Sequence, residues 1–317
     1  MSFPRLHLII PITACLCSHA LLASTVELTN IHTFSPPFEP FLGDVAINDN
    51  GEIAGTSFSV PSAQPAGFVI PANGGAPVQI KYPGAQYTYV NGINNQGTVT
   101  GFAFTGTSIV GFTENGGTFT TLNTAFSLTF AQGINNNGDI AGWWSPASGG
   151  ATAFFIKNGV QGTFSVPGYP YDTYATAIND SGQIAGYFNY ATDGFLRNAD
   201  GSLTYFGFAP NGLNNAGIIV GSGDGPNDTS IGEIRLNGVS YTYEYPGSTA
   251  GTYLYGINNS NEVIGFDSTN NGYTETIFEG QLQFVSAPEP STGWLCVLAL
   301  AGFVVVRFRR RREQNSL

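Results

Sequence analysis

The chain has little charge, cysteine or histidine, and each shortage excludes a class of site. Charged residues make up 10% of its 317 residues, whereas soluble domains typically carry about a quarter. Of the histidines only His32 lies outside the first 24 residues, so the chain cannot build a multi-histidine metal site. Cys15, Cys17 and Cys296 all lie in apolar terminal segments. The central region must therefore fold without disulfides, and it offers no thiol nucleophile.

Basic residues are scarce in the centre of the chain. Between residues 25 and 290 only Lys81, Lys157, Arg197 and Arg235 are basic, whereas all but one of the 21 acidic residues lie there. A domain this acidic repels phosphate backbones, which excludes nucleic acids as partners. Its charge suits cations, neutral sugars or simple solubility.

Glycine, proline and aromatic residues are abundant instead. The chain has 42 Gly, 18 Pro, 24 Phe and 15 Tyr. Glu and Lys, which favour long helices, are scarce, while Thr, Phe and Tyr favour strands and Gly and Asn favour tight turns. An apolar content of 42% is enough to bury a core and argues against disorder. The composition therefore predicts an all-β globular protein.

One pattern, Ile-Asn-x-x-Gly-x-Ile/Val-x-Gly, recurs through the middle of the chain. Its first copy runs from Ile47 to Gly55, and in the sixth copy Asn261 replaces the turn glycine. Asn and Gly tolerate positive φ, so we predict that Asn-x-x-Gly closes a hairpin between two short strands. The six copies begin at Ile47, Ile93, Ile134, Ile178, Leu213 and Ile257.

The segments after each turn complete a repeating unit. A Phe or Ile recurs in each, followed by a stretch rich in Thr and aromatics. Four short strands in about 40 residues is the size of one propeller blade. We predict a β-propeller of six blades of four strands, with five or seven as alternatives. The recurring apolar residues are Phe68, Phe112, Phe154, Phe195, Ile234 and Ile277.

The sequence contains seven outer-strand patterns but only six predicted hairpins. The sixth unit is predicted to end in an outer strand at residues 281–285, and a further copy, residues 27–34, precedes the first unit. We predict that this N-terminal copy pairs into the last blade and closes the ring, which removes an exposed strand edge.

Residues 1–24 have the pattern of a secretory signal peptide. Arg5 supplies a positive start, an apolar stretch runs from Leu8 to Leu22, and small Ala23 and Ser24 offer a cleavage site. Two alternatives remain open. The segment could be a buried apolar terminus, or Cys15 could be lipidated, since residues 12–15 resemble a lipoprotein cleavage box. Residues 25–286 then form the repeat domain.

Residues 287–317 carry a second signal. An apolar run from Trp294 to Val306 follows the Pro-Glu-Pro sequence and precedes an arginine cluster. As a helix the run would span about 20 Å, short of the ~30 Å hydrocarbon core, and the arginines favour a cytoplasmic end. An ordinary short transmembrane tail anchor is one interpretation.

The same segment resembles a PEP-CTERM sorting signal of Gram-negative bacteria. The resemblance implies processing by an exosortase, removal of the tail, and delivery to the cell surface or an extracellular matrix. It assigns the sorting motif to Pro288, Glu289, Pro290, Arg309, Arg310, Arg311 and Arg312.

The repeats resemble the HAF repeats of bacterial extracellular proteins over about residues 40–285. The match rests on the Asn-x-x-Gly turns and on pairs such as Gly67-Phe68 and Gly111-Phe112. No unit has the family's His, and the last two units lack the Phe. The resemblance implies no activity.

The turns offer a candidate Ca²⁺ site. Asn48, Asn50 and Glu52 alternate as oxygen ligands would, and a second candidate loop contains Asp224, Asn227 and Asp228. The other units do not reproduce the first set, so metal-free hairpin turns are the favoured interpretation.

Exposed aromatics are candidates for stacking on sugar rings. Trp143, Trp144 and Tyr171 are the leading candidates, with further tyrosines nearby at positions 169, 174, 187 and 190. Burial between blades is the alternative fate of such side chains.

We therefore expect an exported, surface-sorted, non-enzymatic propeller that binds or scaffolds extracellular polysaccharide or matrix. The alternative is a carbohydrate-active enzyme with a pair of carboxylates in the propeller pocket, although no pair stands out by spacing.

Overall fold

A computed structural model describes residues 23–34, 41–59, 64–122, 124, 126, 128–146, 149–226, 229–269 and 274–286. The chain divides into two units, one formed by Val26–Gln283 and the other by Met1–Thr25 with Phe284–Leu317. Residues 1–22 of the predicted signal peptide and all of the predicted sorting segment lie outside the described residues. Within the described ranges there is no helix long and apolar enough to cross a membrane.

The described regular structure is made of β-strands. The strands are β1 (Ala23–Phe34), β2 (Phe41–Ile47), β3 (Ile53–Ser59), β4 (Gln64–Ile70), β5 (Val78–Ile80), β6 (Tyr87–Ile93), β7 (Val99–Phe104), β8 (Ile109–Asn115), β9 (Thr118–Thr121), β10 (Leu128–Ile134), β11 (Ile140–Ser145), β12 (Thr152–Lys157), β13 (Val160–Phe164), β14 (Thr173–Ile178), β15 (Ile184–Phe188), β16 (Asp193–Arg197), β17 (Leu203–Phe206), β18 (Ala209–Leu213), β19 (Ile219–Asp224), β20 (Ser230–Leu236), β21 (Val239–Tyr243), β22 (Gly251–Ile257), β23 (Glu262–Thr269) and β24 (Thr274–Ser286).

Antiparallel pairing divides the described strands into six groups of four, which we call blades I to VI. Blades I to V are β2–β5, β6–β9, β10–β13, β14–β17 and β18–β21, and blade VI is β22–β24 with β1. Single parallel residue pairs, Leu128 with Ile109 and Ser230 with Gly251, join blade II to blade III and blade V to blade VI. The pairing therefore gives four sheets.

The blades close into a ring. The first strand of each blade contacts the first strands of both neighbouring blades, and β22 of blade VI contacts β2 of blade I. This is the architecture of a β-propeller, as the sequence predicted.

The N-terminal strand completes the last blade. β1 pairs with β24, and the Thr29 hydroxyl donates to the carbonyl oxygen of Gln281 at 3.4 Å. The prediction of closure by this strand is confirmed. The separate outer strand predicted at residues 281–285 is wrong, because β24 continues unbroken to Ser286 and β1 already occupies the outer position.

The predicted hairpin turns form at the repeated motif. In the first turn the N–H of Gly51 donates to the Asn48 carbonyl at 3.1 Å, and Gly51 has φ 77°. Asn261, which replaces that glycine in the sixth turn, has φ 62°. Its substitution is tolerated because Asn is among the residues that adopt this conformation most readily.

The apolar core lies between neighbouring blades. One cluster joins Val45 and Phe68 of blade I to Ile264 and Ile277 of blade VI, and comparable clusters join blades I and II, III and IV, and IV and V. The recurring Phe or Ile of the third strand is fully buried in every blade. These residues are Phe68, Phe112, Phe154, Phe195, Ile234 and Ile277.

Candidate functional site

The antiparallel strand order places two sets of connections at opposite ends of the ring. The turns between first and second strands, five of them Asn-x-x-Gly and the sixth Asn-x-x-Asn, lie at one end, which we call the asparagine face. The loops between second and third strands, and the connectors between successive blades, lie at the other end, which we call the loop face. An axial cavity of about 130 Å³ lies between the first strands of the blades.

On the asparagine face the leading asparagines of the motif form a closed ring of hydrogen bonds. The Asn48 Nδ2 donates to the carbonyl oxygen of Asn94 in the next blade at 2.9 Å, and Asn258 closes the ring onto the Asn48 carbonyl at 3.1 Å. The intervening amides repeat this bond at 2.9–3.1 Å. The buried members of this first ring are Asn48, Asn94, Asn135, Asn179, Asn214 and Asn258.

The leading asparagine also holds its own turn. The Oδ1 of Asn48 accepts hydrogen bonds from the N–H groups of Asn50 at 3.1 Å and Glu52 at 2.9 Å. Positive φ, which the motif predicted for Asn as well as Gly, belongs to the fourth residue of the turn and not to the leading asparagine. Its side chain instead ties the turn to the adjacent blade.

The second residues of the turns form another closed ring. The N–H of Asp49 donates to the Asn95 Oδ1 at 2.9 Å, and the bond repeats around to Asn259, whose N–H donates to the Asp49 Oδ1 at 2.7 Å. The intervening bonds are 2.8–2.9 Å. The members of this second ring are Asp49, Asn95, Asn136, Asp180, Asn215 and Asn259.

The two carboxylates of the second ring are occupied by amides. The Asp49 Oδ2 accepts hydrogen bonds from the side chains of Asn95 at 2.7 Å and Asn259 at 2.8 Å. Burial raises the pKa of Asp49, but the hydrogen bonds from these two residues outweigh it and hold the pKa below its ordinary value. The Asp180 Oδ2 likewise accepts two amides, from Asn136 and Asn215. Both carboxylates therefore join blades.

The axial cavity is polar and narrow. Among the side chains that line it, Asn91, Thr176 and Asn211 each donate to a carbonyl oxygen of the next blade at 2.8–3.0 Å. Sites for small molecules usually occupy about 300–1,000 Å³. At about 130 Å³, this cavity has room for several water molecules but is too small for a saccharide.

On the loop face, stacked aromatic pairs occupy the beginnings of the first strands. Edge contacts of 5.0 Å between Phe102 and Phe130 and 5.1 Å between Trp143 and Tyr174 connect the pairs of blades II, III and IV. The pairs, with ring-centroid distances, are Tyr89–Phe102 (4.6 Å), Phe130–Trp143 (3.7 Å), Tyr174–Tyr187 (4.8 Å) and Tyr253–Phe266 (4.6 Å).

This aromatic series ends in a cavity of about 500 Å³ where blade III meets blade IV. We call it the tyrosine pocket. It is lined by four tyrosines, one carboxylate and backbone, and two of the tyrosines, Tyr171 and Tyr190, are 69% and 91% exposed. The residues that define it are Gly150, Tyr171, Asp172, Tyr174, Tyr187, Tyr190 and Ala191.

The backbone around the pocket holds the two exposed tyrosines. The N–H of Ala151 donates to the Tyr171 carbonyl at 2.8 Å, and Gly150, with φ 90°, approaches Tyr171 too closely to carry a Cβ. Asn189, Tyr190 and Ala191 all have left-handed φ, between 54° and 66°. The N–H of Tyr190 donates to the Asp172 Oδ2 at 3.2 Å.

The structure separates the three predicted stacking residues. Tyr171 lies in the tyrosine pocket, and Trp143, half-buried against Phe130, reaches it through Tyr174. Trp144 instead stacks on Phe126 at 4.4 Å and packs within blade III. Its buried Nε1 has no hydrogen-bond partner among the described residues.

The predicted calcium ligands are engaged with one another and with the next blade. The Nδ2 of Asn48 donates to Glu52 Oε2 at 2.7 Å, and the Nδ2 of Asn50 donates to the Asn95 carbonyl at 3.0 Å. Among the described residues no group of three or more His, Cys, Asp or Glu is placed to hold a metal. Asn227 and Asp228 of the second candidate loop lie outside the described residues, next to Asp224 at the end of β19.

Glu233 is a partly buried carboxyl group outside both cavities. Burial raises the pKa of Glu233 to about 7. Glu233 lies on β20 beside Gly223, and it lines neither the axial cavity nor the tyrosine pocket. It is therefore not paired with a second carboxylate in either cavity.

Sequence reasoning missed the two hydrogen-bonded rings and the role of Asp172. The invariance of Asn at the second position of the motif and the Asp or Asn at its third were visible signals for the rings. Asp172 carried no signal of its own, since it is a single carboxylate in the connector between blades III and IV and belongs to no recurring motif.

No family model and no curated protein sequence matches the chain. Solved structures resemble it at low identity. TolB from Acinetobacter baumannii matches over 73% of this chain and 65% of its own, with 12% identity and a TM-score of 0.52. The β-propeller domain of the Trilobed protease from Pyrococcus furiosus matches over 78% and 83%, with 11% identity and a TM-score of 0.49.

Virginiamycin B lyase from Staphylococcus aureus matches over 82% of this chain and 100% of its own, with 14% identity and a TM-score of 0.43. Since all the identities are low, the likeness to TolB supports the fold alone. None of these structures assigns this chain an activity.

Proposed function

We propose that the chain is an exported, surface-sorted, six-bladed β-propeller that binds extracellular polysaccharide without catalysing a reaction. The observation that carries the proposal is the tyrosine pocket, whose exposed Tyr171 and Tyr190 present aromatic faces on which sugar rings stack. Its volume of about 500 Å³ falls within the range of small-molecule sites. A surface poor in Lys and Arg is consistent with such a ligand.

Binding is tested by retention of the purified protein on a panel of insoluble and immobilised polysaccharides. We expect retention on at least one polymer and a loss of about five- to tenfold in affinity for Tyr171→Ala, the equivalent of one aromatic stacking contact. Tyr205→Ala is the matched control, because Tyr205 is 47% exposed and lies outside the pocket. Retention on none of the polymers would contradict the proposal.

The absence of catalysis is part of the proposal. Asp49 and Asp180, the carboxylates nearest the axis, accept amide hydrogen bonds, an arrangement that suits a structural role. Long incubation of the protein with each polymer should release no new reducing ends or unsaturated products. Product formation that is lost with Asp49→Asn or Glu233→Gln would favour the carbohydrate-active enzyme.

Sorting is proposed from the resemblance of residues 287–317 to PEP-CTERM signals. Replacing Pro288 and Glu289 with Ala should leave the tail attached in a host that contains an exosortase, as measured by the mass of the surface protein. Ser291→Ala with Thr292→Ala is the control, since these residues lie outside the Pro-Glu-Pro sequence. Normal processing of the Pro288/Glu289 variant would refute the assignment.

A further inference from the structure

The tyrosine pocket combines aromatic faces with a single negative charge. Asp172 is flanked by Tyr171 and Tyr174, and no basic residue is among those that line the pocket. Two of the four basic residues of the central region are engaged elsewhere, since the Arg197 guanidinium lies over Phe155 and Phe164 and the Arg235 guanidinium over Phe206. The carboxylate thus faces the pocket without a cationic partner there.

The charge of Asp172 reaches the pocket tyrosines. Burial, together with the negative charge of Asp172, raises the pKa of Tyr174 above its ordinary value. The same carboxylate accepts the N–H of Tyr190. A ligand that enters between these tyrosines therefore meets a negative potential, to which the electron-rich ring faces add.

We propose that the tyrosine pocket binds an amino-sugar residue of a cationic polysaccharide through its protonated amine. This inference rests on the proposed function and names its ligand class. The C–H face of the pyranose stacks on an exposed tyrosine, while the ammonium group lies near Asp172 and over a second ring as a cation–π contact. A neutral sugar gains only the stacking, and a uronic acid is repelled by the acidic domain.

The backbone prepares the pocket for its ligand. Three successive non-glycine residues, Asn189 to Ala191, hold a left-handed conformation, which is disfavoured for Tyr190 and Ala191, although Asn tolerates it. Strain of this kind is found where a structure positions functional groups. Here the backbone N–H of Tyr190 is held against Asp172, and the Tyr190 side chain is exposed at the rim of the pocket.

The test compares two oligosaccharides of equal length with the full chain. One is a β-1,4-linked glucosamine oligomer and the other its N-acetylated counterpart, and binding is measured by calorimetry at pH 6 in low and high salt. We expect the glucosamine oligomer to bind about tenfold more tightly in low salt, and we expect added salt to reduce this preference.

Variants separate the charge from the stacking. Asp172→Asn keeps an oxygen that accepts the Tyr190 N–H, and it should abolish the preference by weakening binding of the glucosamine oligomer to the level of the neutral one. Tyr190→Ala should weaken binding of both oligomers. Asp200→Asn, which removes an exposed charge from the turn between β16 and β17, outside the pocket, is the matched control and should change binding of neither oligomer.

The outcomes distinguish this inference from the proposed function. Equal binding of both oligomers, or a preference that Asp172→Asn leaves intact, would overturn the amino-sugar assignment while polysaccharide binding stands. Binding of a different, uncharged polymer alone would do the same. Failure to bind any polysaccharide would overturn both. Asp172-dependent binding of a lysine-rich peptide, with no binding of glucosamine oligomers, would replace the assignment with a protein partner.

Discussion

A single side chain, the leading asparagine of each repeat, connects the local turn to the neighbouring blade. In the third copy the Asn135 Oδ1 accepts the N–H groups of Asn137 at 3.0 Å and Asp139 at 2.8 Å. Its Nδ2 donates to the Asn179 carbonyl at 2.9 Å. Because Asn135 is buried, removing its side chain takes the hydrogen-bond partner from two turn N–H groups and from the Asn179 carbonyl in the interior of the protein.

Asn135→Ala should therefore destabilise the protein strongly. Leaving buried donors and acceptors unpaired costs about 1–3 kcal/mol for each group, so we expect a loss of about 3 kcal/mol in the free energy of unfolding, measured by urea denaturation. The control is Asn137→Ala in the same turn, which removes one exposed hydrogen bond to the Asp180 carbonyl and should cost under about 1 kcal/mol. Equal losses would contradict the role assigned to Asn135.

The fourth turn residue is constrained by backbone conformation alone. Gly138 has φ 80°, and a Cβ there would meet nothing within 4 Å. Gly138→Ala should destabilise by about 1–2 kcal/mol, because L-residues disfavour this region. Gly138→Asn should cost less, since Asn261 occupies the same position naturally. Thermal denaturation of both variants gives the order, and an equal or larger loss for Asn would contradict the conformational explanation.

At the scale of elements, the ring is closed by a strand from the opposite end of the chain. β1 supplies the outer edge of blade VI beside β24. The Leu28 side chain of β1 is buried, with 8% of its surface exposed. It lies against Gly280 of β24, where it is the side chain that an added Cβ would approach most closely. Closure therefore depends on apolar burial as well as on the backbone ladder.

Leu28→Ala should loosen this closure. Truncating a buried leucine costs about 2–5 kcal/mol, with the lower end expected near an edge. Hydrogen exchange should also accelerate in β1 and β24 before the rest of the ring. Glu27→Ala changes an exposed residue of the same strand and serves as the control. Uniform acceleration across all blades would contradict local opening at the closing blade.

At the scale of the whole molecule, a half-buried carboxyl group makes the free energy of unfolding depend on pH. The pKa of Glu233 is raised to about 7 by burial, above the value of about 4.5 expected for an unfolded chain. The folded state thus binds this proton more tightly than the unfolded state. The stabilisation that comes from protonated Glu233 is therefore fully present below pH 4.5 and is lost as the pH rises through 7.

Glu233→Gln should consequently stabilise the protein at pH 8 and change little at pH 4. Urea denaturation at the two values measures the difference. Glu244→Gln is the control for the change in net charge, because Glu244 is exposed. A gain for Glu233→Gln of the same size at both pH values would show that its charge is not what opposes folding.

Local features of the chain predicted most of the fold. The Asn-x-x-Gly turns, the buried residues from Phe68 to Ile277, and pairing of residues 27–34 into the last blade all depend on periodicity and turn chemistry that the sequence displays directly. The outer strand at residues 281–285 was mistaken because its composition matched that of real outer strands. In blade VI such a segment extends the third strand and does not form a fourth one, because β1 already occupies the outer edge of that blade.

The tyrosine pocket was only partly foreseen. Tyr171, one of the candidate stacking residues, is exposed in the pocket, whereas Trp144 packs inside blade III, because Phe126, from the connector between blades II and III, covers its ring. The pocket brings together residues 150, 171–174 and 187–191, which belong to three separate connections and strands. Their distances along the chain contain no sign of this proximity.

The amino-acid sequence alone determined the β-structure, the repeating unit and its turns, because strand propensity, glycine and asparagine conformations and apolar spacing act over a few residues. Tertiary structure decided which turn lies beside which, and therefore that the leading asparagines close a hydrogen-bonded ring. It also decided that one carboxylate and four tyrosines meet between two blades. These are contacts between residues far apart in sequence, and only the circular arrangement of the blades brings such residues within bonding distance.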